Sequence, residues 1–266
     1  MVSFKTNDEI EISYHCLGNP LAQAVIFING YSSSEVTWFL QLEKFAQSGF
    51  YVISYDHRNH GLSEKTKRGQ SLQRLATDLH ELILTLNLKK PILIGHSMGA
   101  ATIMAYEELF TDKDLLAVIT EDQAPLFLKS EDWLEGRGKA IDVLDDFIEK
   151  FPLLPLTQKP LSDNVKRELG KKMLPFNFKE SQNLLRNIII QDWRLILENE
   201  KCPHLFIAGE KSAIFPSQHA TAACQLTQHS LSKEIVIKDC GHIPHLESAE
   251  EFNQYTLDFI KNVMEG

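Results

Sequence analysis

The chain has 266 residues, 43% of them hydrophobic, and 36 acidic against 27 basic side chains give a formal charge of −9. That is enough apolar material for one large domain or a domain with an insertion, and the acidic balance argues against a nucleic-acid or anionic-membrane partner. No stretch approaches the roughly eighteen continuous apolar residues that cross a bilayer, and Met1 to Asn7 lack a basic-then-apolar leader pattern, so a cytoplasmic protein without a membrane partner is expected.

In chain order, Val2-Ser3-Phe4 and Ile10 to Tyr14 alternate apolar and polar residues around Asn7-Asp8, the pattern of an antiparallel hairpin at a sheet edge. Continuous apolar runs follow at 24–28, 51–55, 91–94, 116–119, 205–208 and 234–237, and these predict strands buried on both faces of a mainly parallel sheet. Amphipathic stretches at 38–48, 72–86, 99–110, 218–226 and 249–263 supply the crossover helices of repeated βαβ units. The rhythm changes between 125 and 200, where no strand is evident and Phe151-Pro152-Leu153-Leu154-Pro155 and Pro175 break amphipathic stretches. A segment of that length needs secondary structure of its own, so a helical cap at 125–200, inserted after the sixth strand, is expected to sit on a core formed by 1–124 and 201–266. Cys16, Cys202, Cys224 and Cys240 show no paired spacing and no histidine partnership, so reduced thiols and no metal site are expected.

The chemistry centres on Gly95-His96-Ser97-Met98-Gly99, which joins the apolar run at 91–94 to a small-residue helical run. A Gly-x-Ser-x-Gly at a strand-to-helix junction makes a tight turn with the serine at unusual backbone angles and its hydroxyl exposed above the sheet. Such a serine needs a base, and His242, in Cys240-Gly241-His242-Ile243-Pro244 directly after the last strand, is the best placed, because parallel strands deliver their C-terminal loops to one edge. His57 and His60 in the loop after 51–55, and His15, His80, His204, His219 and His229, are expected to be structural or exposed; His245 is expected at a pocket rim or on the surface, and His96 beneath the elbow. An oxyanion needs two preorganised amides, for which Met98 and Tyr31 are the candidates, Tyr31 following Gly30 at the exit of the 24–28 strand.

Together these residues resemble the α/β-hydrolase superfamily, in its lid-bearing branch of esterases and perhydrolase-like enzymes. Asp56-His57-Arg58-Asn59-His60-Gly61-Leu62-Ser63 is similar to that family's Asp-x-Arg-Gly-x-Gly-x-Ser loop, and Gly241-His242-Ile243-Pro244-His245-Leu246-Glu247 to its histidine loop. Asn59 stands in place of a glycine expected to need a left-handed backbone, which asparagine tolerates best among the other residues. The resemblance implies an eight-stranded, mostly parallel sheet flanked by helices with a helical cap after the sixth strand, and a Ser-His-acid triad.

The acid departs from the pattern. Where the family commonly writes Gly-x-x-Asp, the chain writes Gly209-Glu210-Lys211-Ser212, and the sixth strand instead ends in Glu121-Asp122-Gln123-Ala124-Pro125. Asp122 is preferred over Glu121 because adjacent strand residues point to opposite faces and the last is better placed to reach over the edge. Glu210 and Glu121 stay open as alternatives, while Glu210 and Ser212 are expected to matter little.

The resulting expectation is an ester hydrolase for small or medium acyl groups with Ser97, His242 and Asp122 at its centre, Gly30, Tyr31, Trp133 and Ile243 near the substrate, no cofactor, and a monomeric or homodimeric state. Thioester, lactone, amide or carbon–carbon hydrolysis and perhydrolysis are alternatives on the same site, as is a ligand-binding receptor on the same scaffold. Ser97 in the elbow disfavours an aspartate-nucleophile dehalogenase or epoxide hydrolase.

Overall fold

Strands β3 (Ala24–Ile28), β5 (Ile92–His96), β6 (Ala117–Glu121) and β7 (His204–Gly209) are buried at every residue, as continuous apolar runs between two helical layers require. The computed structural model describes residues 2–138 and 144–266. With β1 (Val2–Lys5), β2 (Glu11–Leu17), β4 (Tyr51–Tyr55) and β8 (Lys233–Ile237) these strands form one sheet of eight in the order β1-β2-β4-β3-β5-β6-β7-β8. Pairing is antiparallel at β1/β2 and β2/β4 and parallel from β4 onward. This is the mostly parallel α/β-hydrolase architecture that the sequence predicts.

Successive strand residues feed opposite cores. Ile26, Ile28, Leu93 and Val118 pack in one core with α2 (Leu72–Thr85) and α3 (Met98–Phe110). Val25, Phe27, Ile92, Ile94 and Ile119 pack in the other with α1 (Phe39–Gln47) and α10 (Ala249–Glu265). Helix α3 is buried nearly all round, which its glycine and alanines allow by letting backbones approach closely. Strand β8 departs from the two-face burial its apolar run predicts. It is the edge strand, and Lys233, Glu234 and Val236 are exposed; period alone does not reveal which strand ends a sheet.

Between β6 and β7 the chain makes a helical insertion containing α4 (Leu144–Lys150), α5 (Asp163–Lys172), α6 (Gln182–Ile189) and α7 (Arg194–Asn199). Its entry and exit are stitched together: Leu126 bridges Asp192, and the Trp193 amide donates to the Pro125 carbonyl at 2.9 Å. Helix α5 starts at Ser162, whose hydroxyl accepts from the Val165 amide. Helices α8 (Gln218–Leu226) and α9 (Pro244–Glu247) complete the core. Among the described residues, no helix is long and apolar enough to cross a membrane.

The loop after β4 is pinned by a buried guanidinium. Arg58 donates to both oxygens of buried Asp78 at 2.7 Å and to both oxygens of Asp8 at 2.9 Å, tying the first hairpin and α2 to the sheet edge. Asn59 beside it has φ 68°, the left-handed conformation expected there. Replacing Arg58 leaves Asp78 buried with only Arg74 for charge compensation, and removing one partner of a buried pair is strongly destabilising. Arg58→Leu is therefore expected to lower the unfolding free energy by about 3 kcal/mol; urea denaturation followed by circular dichroism measures it, and a loss no larger than that of an exposed ion pair would contradict a buried, charge-compensating role.

Candidate active site

Ser97 sits between the last residue of β5 and the first of α3 with φ 51° and ψ −117°, a strained combination for a residue with a β-carbon. The flanking glycines make it possible. A β-carbon on Gly95 would stand 2.5 Å from the Gly99 carbonyl carbon, and one on Gly99 would stand 2.1 Å from the Ile28 carbonyl oxygen. The Ser97 amide donates to the Glu121 carbonyl at 2.8 Å, so the turn is also held to β6.

The parallel register brings the relevant strand ends together: Ile28 opposes Gly95, His96 opposes Glu121, and Gly209 opposes Ile237. His242, on the loop after β8, places Nε2 3.0 Å from Ser97 Oγ and Nδ1 2.5 Å from Asp122 Oδ2. A carboxylate beside Nδ1 makes that nitrogen the N–H donor, which leaves Nε2 as acceptor for the serine hydroxyl. Ser97, His242 and Asp122 thus form one continuous hydrogen-bonded chain.

Asp122 follows β6 with φ 49°, is fully buried, and donates its own amide to the Ile207 carbonyl at 2.7 Å. Burial alone would raise its carboxyl, but the imidazoles of His219 and His242 outweigh it and hold the group well below the usual carboxylate range. Its other contacts involve residues for which the sequence predicts no role. The Ser212 hydroxyl donates to Oδ2 at 2.5 Å, the Gly209 amide to Oδ1 at 3.0 Å, and His219 Nε2 lies 3.7 Å from Oδ1. Ser212 and His219 sit near Asp122 only because β7 and α8 pack beside β6, so no spacing in the chain announces them.

Glu121, one residue earlier, points to the other face and makes a second pair. Its carboxyl accepts from the His245 amide and meets His245 Nδ1, both at 2.7 Å. Burial pushes Glu121 up to about 8 and His245 down to about 3, so the pair is held neutral. The His245 ring is stacked on Trp38 with centroids 3.9 Å apart; the residue is buried rather than on the surface, and it borders the cavity beside Ser97. His96 lies beneath the elbow, and its Nε2 donates to the His242 carbonyl at 2.8 Å, tying the base's own backbone to β5. Burial holds His96 at about 3, so the ring is neutral with its proton on Nε2. His96 needs Gly30: a β-carbon there would stand 2.8 Å from its Nδ1. Glu210 is exposed, and its carboxylate accepts from the Asp239 amide rather than approaching His242.

Above Ser97 lies a cavity of 190 Å³. Tyr31, Ser32, Ser33 and Thr37 border it from the β3 exit, Ile243 and Leu246 from the histidine loop, and Phe151, Leu156, Leu161, Leu169 and Met173 from the insertion. Among the described residues, no aspartate, glutamate, lysine or arginine lines it. Neither the Tyr31 nor the Met98 amide donates to another group of the described residues. The Tyr31 ring packs on Phe151 and Phe176, and its hydroxyl donates to the Ser181 carbonyl at 3.1 Å. Trp133 is buried within the insertion and is not among the side chains lining this cavity.

Residues 23–249 match the family model described as alpha/beta hydrolase fold. A non-heme chloroperoxidase from Burkholderia pyrrocinia is 32% identical over 162 residues, covering 60% of the chain and 54% of that protein. The bifunctional esterase/perhydrolase DCH from Acinetobacter calcoaceticus is 29% identical over 142 residues, covering 53% of the chain and 51% of the relative, so the chain spans about half the length of these two curated proteins. An esterase from Exiguobacterium antarcticum superposes with TM-score 0.86 at 19% identity, over 98% of the chain and 99% of the other, which is a likeness of fold.

Asp122's depressed carboxyl has a consequence for stability. A group whose folded value lies below its unfolded value stabilises the fold at pH above the unfolded value, near 3.8 here, and that contribution is lost as pH falls further. Asp122→Asn is expected to destabilise the protein by about 1–3 kcal/mol at pH 7 through lost charge-assisted hydrogen bonds. The difference in thermal midpoint from the unsubstituted protein should narrow as pH drops below about 4. A difference that is constant with pH would contradict an ionised, hydrogen-bonded Asp122.

Proposed function

We propose, from the premise that the chain belongs to the α/β-hydrolase fold family, that it hydrolyses small, uncharged carboxylic esters through an acyl-enzyme on Ser97. The observation that carries this reading is the unbroken chain from Ser97 Oγ through His242 to Asp122 beneath an apolar cavity. In the first step Ser97 Oγ attacks the carbonyl carbon while its proton passes to His242 Nε2. The Tyr31 and Met98 amides, which have no other acceptor among the described residues, hydrogen-bond the resulting oxyanion. Collapse expels the alcohol, which takes the proton from Nε2. Water then repeats the sequence on the acyl-enzyme, losing a proton to His242 and releasing the acid. Asp122 keeps Nδ1 protonated and stabilises the imidazolium, so the ring presents the correct nitrogen throughout.

The cavity sets the substrate class. Its 190 Å³ is small for a ligand pocket, which favours a short acyl chain over a long one. Among the described residues its lining has no acidic or basic side chain of Asp, Glu, Lys or Arg to neutralise an ionic substrate, and the Leu156, Leu161, Leu169 and Met173 side chains favour an aliphatic one. In this reading the 125–200 insertion acts as the cap over a core of 1–124 and 201–266. The likeness to a chloroperoxidase and to an esterase/perhydrolase favours a second acyl acceptor as well: hydrogen peroxide in place of water would release a peracid from the same intermediate.

The test is covalent labelling followed by turnover. A fluorophosphonate is expected to modify Ser97 and no other serine by peptide mapping, and p-nitrophenyl esters of two to six acyl carbons to turn over faster than long-chain ones. Ser97→Ala or His242→Ala should cost roughly three or more orders of magnitude in turnover. Folded protein that neither labels nor turns over any ester would favour a ligand-binding receptor instead.

A further inference from the structure

His219 is 1% exposed, and neither of its ring nitrogens has a hydrogen-bond partner among the described residues. A buried polar group without a partner costs stability and calls for an explanation in the structure. Here the explanation is directional: Nε2 lies 3.7 Å from Asp122 Oδ1, with the ring set against Phe215 at 5.4 Å between centroids. Ser212 is as specific. Its hydroxyl donates to Asp122 Oδ2 and also accepts from the Ile214 amide at 3.2 Å, which fixes the direction of the donated proton. The turn after β7 and the start of α8 therefore bring the Ser212 hydroxyl, the Gly209 amide and the His219 imidazole to one buried carboxylate, in addition to His242.

We propose that Ser212 and His219 are positioning residues that act on the reaction through Asp122, keeping its carboxylate ionised and oriented toward His242. A carboxylate with no solvent needs its lone pairs occupied to remain charged, and His242 takes only one direction on Oδ2. The Gly209 amide and His219 face Oδ1, and Ser212 shares Oδ2 with His242. With these donors in place, Asp122 presents a fixed, partly neutralised charge to Nδ1. Without them burial favours its protonated form, and the charge it retains is less compensated.

Both consequences move activity in the same direction. kcat/KM requires Asp122 ionised and His242 neutral in the free enzyme. Losing a donor favours the protonated form of Asp122, and any carboxylate that remains binds the His242 imidazolium more strongly; the second effect shifts the acid limb of the profile to higher pH. The other titratable groups around His242 are untouched by these substitutions. They are His96, with its centroid 4.8 Å away, the Glu121–His245 pair, and Glu247, which accepts from the Gly241 and Ile243 amides and from the Lys159 amide of the insertion.

The proposal rests on the reading of Ser97, His242 and Asp122 as a hydrolytic relay, so fluorophosphonate labelling of the unsubstituted protein comes first; failure to label would overturn that reading and this one with it. On an enzyme that labels, kcat and KM for an activated short-chain ester are measured from pH 5 to 9 for His219→Phe, His219→Gln and Ser212→Ala. Ser212→Ala is expected to lower kcat about tenfold at unchanged KM, as loss of a hydrogen bond to a charged group implies, and His219→Phe, which removes a polar ring 3.7 Å from Oδ1, to lower it less; both are expected to shift the acid limb upward. His219→Gln, which keeps an N–H donor, is expected to restore the limb toward its original position. Folded His219→Phe and Ser212→Ala proteins whose acid limbs coincide with that of the unsubstituted enzyme would overturn the proposal while leaving the hydrolase reading intact. Should His219→Phe fail to fold, Ser212→Ala still decides it, since an acid limb unmoved in that folded variant overturns the proposal equally.

Discussion

Helix α3 begins so close to the end of β3 that only a hydrogen side chain fits at Gly99, where a β-carbon would press on the Ile28 carbonyl oxygen at 2.1 Å. Most of the site depends on that contact. It sets the first turn of α3, which Met98 opens, against the exit of β3, and beside it the strained Ser97 borders the cavity. The strain is sustained by what surrounds it: β5 is buried at every residue, and the Ser97 amide is bonded to β6. A scaffold that yielded here would let the elbow move away from the exit of β3.

The two acids that end β6 divide the work of the histidine loop. Because consecutive strand residues face opposite ways, Asp122 reaches Nδ1 of His242 while Glu121 reaches His245 beside Trp38. The Asp122 carboxylate is ionised and surrounded by donors, whereas the Glu121 pair is kept neutral by burial. In the reading proposed above, one pair serves proton transfer while the other anchors the backbone that carries His242. His96 adds a third anchor through the His242 carbonyl, so the base is held from its ring, its backbone and the helix that follows it.

What is legible in the sequence is whatever the backbone makes local. The elbow announces itself because its turn demands glycine on both sides of Ser97, and His242 because a glycine–histidine pair follows the last apolar run. Buried strands are legible as apolar runs, and a long segment without strands marks the insertion. The exposed face of β8 is not, since an edge is a property of strand order and not of one strand's composition. Ser212 and His219 escape sequence reasoning for a related cause: their meeting with Asp122 is made by the packing of β7 and α8 against β6, across about ninety residues of chain. Trp133 resembles a pocket residue by its type alone, but its place inside the insertion depends on how those helices pack on one another.

Asp122, at the end of β6, is the acid on which the working tautomer of His242 depends in this reading of the site. Proton NMR in water tests that role most directly, through the strongly deshielded resonance expected of an Nδ1–H donated to a buried carboxylate. The resonance is expected in the unsubstituted protein, is expected to disappear in folded Asp122→Asn and His242→Ala, and is expected to persist in Glu210→Gln. A resonance that survives Asp122→Asn and is lost in Glu210→Gln would contradict it.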